Sequence, residues 1–137
     1  MFNTITHGVL EQAGGGNTNA LSPGDASGGI ITYDGDYRIH TFDSSGYFVV
    51  YNLISEASIL IVGGGGKGQT GGGGGGQVLQ YNISYINAST YEVIVGSGGV
   101  SNTIEGKPSS FYGYVANNGI GGNAYAKCGY SGSGIIS

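Results

Sequence analysis

The hydrophobic residues of the chain fall into short runs that end at glycine, aspartate, asparagine or serine. Runs rich in β-branched and aromatic residues, which are typical of strands, lie at 30–33, 37–42, 47–51, 57–62, 77–85, 91–95, 110–115 and around 124–130. No segment repeats its apolar residues at helical spacing, so we expect minimal helix. The pattern predicts an all-β protein, a small β-sandwich or jelly-roll-like domain with long glycine-rich loops.

Two of these runs carry local predictions. Residues 37–42 alternate in polarity, and a tight connection at 43–46 leads into the next run, so 37–51 is predicted to be a hairpin. His40 lies on the alternating strand and is predicted to be a surface or edge residue. Ala57–Val62 is read as a continuous apolar strand, which predicts burial on both faces.

Residues 1–29 differ from the rest because they contain few aromatic residues and two turn-rich stretches. They are predicted to be an extended N-terminal arm or anchoring segment that contacts a partner. Residues 30–137 are predicted to be the glycine-rich β domain. Met1–Thr4 lacks the basic and apolar regions of a signal peptide, so we expect synthesis in a cytoplasm.

The longest glycine run follows the strand Ile59–Val62 directly. Residues 63–76 contain 11 glycines, interrupted by Lys67, Gln69 and Thr70. A phosphate-binding loop needs a helix after the glycines, whereas residues 77–95 have strand character. Two interpretations of this glycine run stay open. It can be a flexible surface loop, or it can pack with other glycine segments as polyproline II helices, within one chain or in a trimer.

Composition narrows the classes of partner. The chain has 31 glycines among 137 residues, only 9% charged residues and a formal net charge of -4. Its four Lys and Arg residues are scattered, which argues against nucleic-acid binding. No apolar run is long enough to insert into a membrane. A neutral polar surface favours rigid assembly or contact with a polar neutral ligand such as a surface glycan.

Groups for catalysis are sparse in the sequence. His7 and His40 lie far apart, and no Cys or His spacing predicts a metal site. We therefore predict no enzyme activity, no catalytic residues and no cofactor. The 11 tyrosines combine an apolar ring with a polar tip, and most are expected to pack on sheet faces. Four that lie near glycines are candidate contacts to a receptor or partner chain: Tyr112, Tyr114, Tyr125 and Tyr130.

The order of these pieces resembles a known family. A run at Tyr37–Val50 comes first, an apolar strand enters glycines at Ile59–Gly76, Tyr91–Gly99 follows, and a glycine-rich end lies at Gly129–Ile136. This order resembles the glycine-rich domain of bacteriophage tail-fibre, tail-tip and related virion-surface proteins. The chain departs from that pattern at its last element, which stops after Ile135 and Ile136.

The resemblance implies a structural protein of the virion surface, made in the host cytoplasm. We expect a phage tail-fibre or tail-tip component that contributes to host attachment and forms a homo-oligomer, with a trimer favoured. Residues 1–29 would contact other virion proteins. Two alternatives are a capsid-associated head fibre or decoration protein anchored by the N-terminal arm, and a carbohydrate-active surface enzyme.

Overall fold

The fold is described from a computed structural model, which covers residues 2–7, 26–101, 104–122 and 135–136. These residues form strands, turns and extended segments without any helix. The all-β prediction is therefore confirmed. Within the same ranges, no helix is long and apolar enough to cross a membrane.

The strands form two sheets. The first sheet has the order β11-β7-β6-β1-β4-β3, and the second has the order β10-β9-β8-β5-β2. All pairings are antiparallel except that of β11 with β7, which is parallel. The strands are β1 (Phe2–His7), β2 (Ala26–Ser27), β3 (Ile30–Asp34), β4 (Tyr37–Phe42), β5 (Gly46–Val50), β6 (Ala57–Val62), β7 (Val78–Ile83), β8 (Ser89–Ile94), β9 (Ser109–Phe111), β10 (Tyr114–Ala116) and β11 (Ile135–Ile136).

One hydrophobic core joins the two sheets into a sandwich. Ile59 and Ile61 from β6 are buried with Phe48 and Phe111 of the second sheet. The Phe48 and Phe111 rings meet edge to face, with centroids 5.8 Å apart. Every second residue of β6 is buried, and the residues between are half-buried. The prediction of two buried faces is wrong because, in a two-layer fold, one face of β6 meets the other sheet.

The predicted hairpin at 37–51 is also wrong. β4 belongs to the first sheet and β5 to the second, so the link 43–45 crosses between layers. The side-chain hydroxyl of Ser45 accepts the N–H of Val95, which holds this link against the end of β8. The true hairpin is β3–β4, whose loop is Gly35–Asp36. Gly35 has φ 56°, and glycine is the usual first residue of such a two-residue loop.

Part of the predicted N-terminal arm lies inside the fold. β1 pairs with both β4 and β6, and β2 pairs with β5. The prediction of an arm is therefore wrong for the six residues Phe2–His7, which form a strand between two others in the first sheet. Its sequence has only two hydrophobic residues, Phe2 and Ile5, so it lacks the dense hydrophobic run that identified the other strands. The boundary between residues 29 and 30, and any contact of residues 1–29 with a partner, stay predictions.

His40 is buried in the core, so its predicted surface position is wrong. It shares the inner face of β4 with Phe42, and its ring meets the Phe48 ring at 5.0 Å. Nδ1 lies 2.9 Å from the carbonyl oxygen of Gly28 and must donate to it. Nε2 has no partner among the described residues. Burial lowers the pKa of His40 below 6.5, the Gly28 hydrogen bond opposes this effect, and the Arg38 charge adds to it.

Five glycine-rich segments continue the strands at one end of the sandwich, and we call them the glycine bundle. The first follows β6, the second leads into β7, the third follows β8, the fourth leads into β9, and the fifth follows β10. The segments are, in order, 63–67, 72–77, 96–100, 104–108 and 117–122.

Main-chain hydrogen bonds join the segments of the bundle. The first segment bonds to each of the other four, through Gly63 to Gln77, Gly64 to Lys107, Gly99 to Gly65 and Gly119 to Gly64. Donors that face the same neighbour are three residues apart, as at Gly63 and Gly66 or at Gly74 and Gln77. Three residues per turn is the repeat of a polyproline II helix. Of the two interpretations of the glycine run, the structure therefore supports the packed one, and the packing is within one chain.

Close approach explains why the bundle is made of glycine. No glycine of the bundle has a positive φ, so unusual backbone angles are not the reason. A Cβ would instead overlap atoms of a neighbouring segment at Gly63, Gly64, Gly66, Gly73, Gly76, Gly96, Gly99, Gly106, Gly119, Gly121 and Gly122. The segments can exchange hydrogen bonds at this spacing only because no side chains separate them.

Two glycines of the second segment provide a direct test. A Cβ at Gly76 would overlap the main chain of Gly63, whereas a Cβ at Gly72 would meet nothing within 4 Å. We expect Gly76→Ala to lower the free energy of unfolding by about 1–3 kcal/mol through overpacking. Gly72→Ala should change it by no more than about 0.5 kcal/mol. Urea unfolding measures both values, and equal losses would contradict the close-packing account.

The buried histidine predicts a pH dependence of stability. The unfolded chain protonates His40 near pH 6.5, whereas the folded chain does so only at lower pH. The unfolded state therefore binds more protons in that interval, and stability falls as the pH drops below 6.5.

A non-titrating variant checks this prediction. His40→Asn keeps an N–H donor near the Gly28 carbonyl but cannot ionise. Urea unfolding from neutral pH down to about pH 5.5, above the main titration of carboxyl groups, should show a shallower decline for the variant. Both proteins carry His7, so they differ only at position 40. Parallel pH profiles would show that His40 does not cause the decline.

Candidate functional site

Of the sequence-predicted contact residues, Tyr112 lies in the β9–β10 turn and Tyr114 is the first residue after it. Phe111 pairs with Tyr114, so the loop consists of Tyr112 and Gly113, with φ 52° and 83°. Two positive φ values in a two-residue loop indicate a type I′ turn. β9 runs away from the glycine bundle, so this turn lies at the opposite end of the sandwich.

Tyr112 holds an unusual conformation. It is the one non-glycine residue with positive φ in the described part of the chain, and this conformation costs about 1–2 kcal/mol for an L-residue. Its ring packs on Tyr91 at 5.3 Å and on Phe111 at 5.9 Å. Its hydroxyl donates to the carbonyl oxygen of Tyr85 at 3.3 Å. These contacts hold an exposed ring in a fixed position at the surface.

Two further tyrosines, which the sequence did not single out, belong to the same surface. Tyr91 is half-buried, and its hydroxyl donates to the carbonyl oxygen of Asn87 at 2.9 Å. Burial, followed by the nearby Tyr112 hydroxyl, raises the pKa of Tyr91, which therefore stays a neutral donor. Tyr85, whose carbonyl oxygen accepts the Tyr112 hydroxyl, has an exposed side chain. We call Tyr85, Tyr91 and Tyr112 the tyrosine surface.

Tyr114 has a different role from its neighbour. It points inward, is half-buried and stacks on Tyr81 of the first sheet with ring centroids 4.2 Å apart. Its ring therefore packs between the sheets. Tyr125 and Tyr130 lie outside the described residues. The structure thus brings Tyr112 together with Tyr85 and Tyr91, and it separates Tyr114 from them.

The sequence gives little signal for this arrangement. A Tyr-Gly pair does not match the Asn-Gly or Asp-Gly signature of a type I′ turn, so 110–115 was predicted as one strand. Tyr91 lies in β8 and is brought to Tyr112 by the pairing of β8 with β9. Tyr85 follows β7 and contacts Tyr112 through its carbonyl oxygen, 27 residues away along the chain.

The opposite end of the molecule carries neutral and basic polar groups. The turn after the first bundle segment exposes Gln69 and Thr70, and the Gln69 N–H donates to the carbonyl oxygen of Gly71. The ammonium group of Lys67 donates to the hydroxyl of Ser101 at 3.0 Å, which links two turns of the bundle. The molecule therefore has a polar tip and, at the other end, the tyrosine surface.

Acidic and metal-binding side chains were compared with the surface depressions of the described residues. They contain no group of three or more His, Cys, Asp or Glu side chains that could hold a metal ion. An open depression of about 280 Å³ beside the 43–45 link has one carboxylate, Asp43, in its lining. Another, of about 260 Å³, also has one, Glu56.

The chain was compared with known protein families. The model of the glycine-rich domain family matches residues 41–136, which is most of the chain. The protein belongs to this glycine-rich domain family. The match begins in β4 and includes the whole glycine bundle and the tyrosine surface. No curated protein and no solved structure matched the chain.

Two substitutions test the different roles of the turn tyrosines. Asparagine accepts positive φ readily, so Tyr112→Asn relieves backbone strain while it removes ring contacts worth about 0.5–1.5 kcal/mol. We expect a net change below about 1 kcal/mol in the free energy of unfolding. Tyr114→Asn removes a half-buried stacked ring and should cost at least about 2 kcal/mol. Urea unfolding compares them, and a larger loss for Tyr112→Asn would contradict this assignment.

Proposed function

We propose that the protein is a non-enzymatic structural component of a virion surface, in a phage tail fibre or tail tip, and contributes to host attachment. The family assignment supports a glycine-rich domain. The step from that domain to a tail component rests on the resemblance of the whole sequence order. The tyrosine surface is the contact that we assign to the receptor or to a partner chain.

The observation that carries the proposal is the placement of two different surfaces at opposite ends of one rigid domain. Main-chain hydrogen bonds stiffen the bundle at one end, and the tyrosine surface lies at the other. A domain of this kind can bind the particle through one end and a target through the other. The bundle and the strand ladders keep the distance between the ends constant.

The chemistry of the tyrosine surface favours a neutral polar ligand. Tyr85 and Tyr112 are exposed, and Tyr91 supplies a neutral hydroxyl. Aromatic rings with polar tips suit ligands that have both apolar and hydroxyl-bearing faces, such as host surface glycans.

Each large depression described above holds one carboxylate, whereas glycoside hydrolases use a pair. We therefore keep the carbohydrate-active enzyme as the alternative. Release of sugars from host polysaccharide by the purified chain would favour the enzyme instead.

Adsorption competition tests the attachment role. Purified chain should reduce adsorption of the virus to its host, and Tyr112→Asn should weaken this competition at least about tenfold because the ring is lost while the fold is kept. Tyr47→Lys, an exposed change on another sheet face, is the matched control. Equal competition by all three proteins would contradict the assignment of the tyrosine surface.

Antibody labelling of particles tests the location. Label at the tail supports the proposal, and label at the head would assign the chain to a head fibre or decoration protein. Absence of the chain from purified particles would overturn a virion role altogether.

A further inference from the structure

β3 is the outer strand of the first sheet among the described strands. All five of its residues are exposed, including Ile30 at 57%, Ile31 at 40% and Tyr33 at 68%. A strand in this position presents unpaired main-chain N–H and C=O groups on its outer side. Apolar side chains on both of its faces add area that a further strand would cover.

β3 also lacks the devices that usually protect a sheet edge. Natural edge strands carry lysine, proline, a bulge or an inward-pointing charge that prevents pairing with another chain. Residues 30–33 contain none of these residue types, and β3 pairs with β4 without a bulge. The one charge, Asp34, is at the end next to the turn.

The β3–β4 turn determines which main-chain groups face outward. Asp34 and Tyr37 flank a two-residue loop, and flanking residues of such a loop exchange hydrogen bonds with each other. Bonding alternates along the strand, so Ile30, Thr32 and Asp34 bond to β4. The N–H and C=O groups of Ile31 and Tyr33 therefore point to the outer side.

We propose that β3 pairs antiparallel with β3 of a second copy of this chain, around a two-fold axis at Thr32. Ile31 of each copy then exchanges main-chain hydrogen bonds with Tyr33 of the other. The two outward-facing residues of the strand are each other's partners, so the edge is self-complementary. The first sheets of both copies become one continuous sheet.

The side chains fit this register. Ile31 lies opposite Tyr33 of the second copy, and β-branched residues opposite aromatic residues are favourable cross-strand pairs. Thr32 faces its own counterpart. Asp34 faces Ile30, so no two carboxylates oppose each other. Among two-fold registers that pair the outward-facing groups, this is the one in which all five residues have a partner.

The contact is small, and we expect weak association. An interface of this kind lies at or below the lower end of specific interfaces, which is about 1,200 Å² in total. We expect a dissociation constant in the range of about 10 μM to 1 mM, as for a weak association. The stoichiometry is two, in contrast to the trimer expected from the sequence.

Sedimentation equilibrium of the full chain tests the pairing at concentrations up to about 0.5 mM, within the expected range. The wild-type chain should dimerise. Tyr33→Glu places a charge at the edge, opposite Arg38 in its own chain, and should raise the dissociation constant at least about tenfold. Tyr47→Lys, opposite Glu92 on the second sheet, is the matched control and should leave it unchanged.

Cross-linking tests the register. In a Cys128→Ser background, Thr32→Cys places a thiol opposite its own counterpart in a non-hydrogen-bonded pair, where Cα atoms are about 4.5 Å apart. A disulfide can form at that separation, so mild oxidation should yield a covalent dimer. Ile30→Cys lies on the same sheet face but opposite Asp34, and should yield at least about tenfold less dimer, since its sulfur has no facing thiol.

Each outcome decides the proposal. Dimers that Tyr33→Glu weakens and Thr32→Cys traps support it. A monomer at every concentration, a trimer, dimers insensitive to Tyr33→Glu, or preferential trapping by Ile30→Cys would overturn it. Circular dichroism of each variant confirms that the fold is retained. Because the test needs only purified chain, its result is independent of any role in attachment.

Discussion

The structure depends on contact between main chains that no side chain separates. In the glycine bundle, amide and carbonyl groups of five segments bond directly to one another, and the first segment bonds to the other four. A β-sheet satisfies main-chain groups in one plane, whereas a bundle with a three-residue repeat satisfies them in several directions around each segment. This arrangement lets a small chain extend beyond its hydrophobic core while its peptide groups stay bonded.

Buried polar side chains connect the sandwich to the bundle through hydrogen bonds. Gln77 exchanges bonds with Asn117 through both its main chain and its side chain, and the buried hydroxyl of Ser109 accepts the N–H of Gly96. These residues lie where strand pairing ends and the bundle begins. An unbonded peptide group buried there would destabilise the fold by about 1–3 kcal/mol. The two parts of the domain therefore share one continuous hydrogen-bond network.

The sequence predicted strand positions better than it predicted their partners. Runs such as Tyr37–Phe42 and Ala57–Val62 were located because alternation and β-branched residues are local signals. The layer change at 43–45 was missed, since a short polar link serves a hairpin and an inter-sheet crossing equally well. Tyr112 was selected as a contact residue, but its neighbours Tyr85 and Tyr91 reach it only through long-range pairing, which a single sequence does not encode locally.

The burial of His40 shows the same limit at one residue. Alternation correctly placed it on a face with Phe42, but the sequence does not say which face is the core. The glycine run was ambiguous for a related reason, because the same letters describe a flexible loop and a packed segment. Only the positions of the other four segments decide between them.

The close spacing of the bundle also restricts how the protein can vary during evolution. No residue is smaller than glycine, so every substitution at the crowded positions adds atoms. The added atoms overlap a neighbouring segment, and each such substitution is therefore unfavourable. Gln69 and Thr70, in the turn at 68–71, are different, since both are exposed. Diversity can therefore accumulate at the tip, on a scaffold that itself tolerates little change.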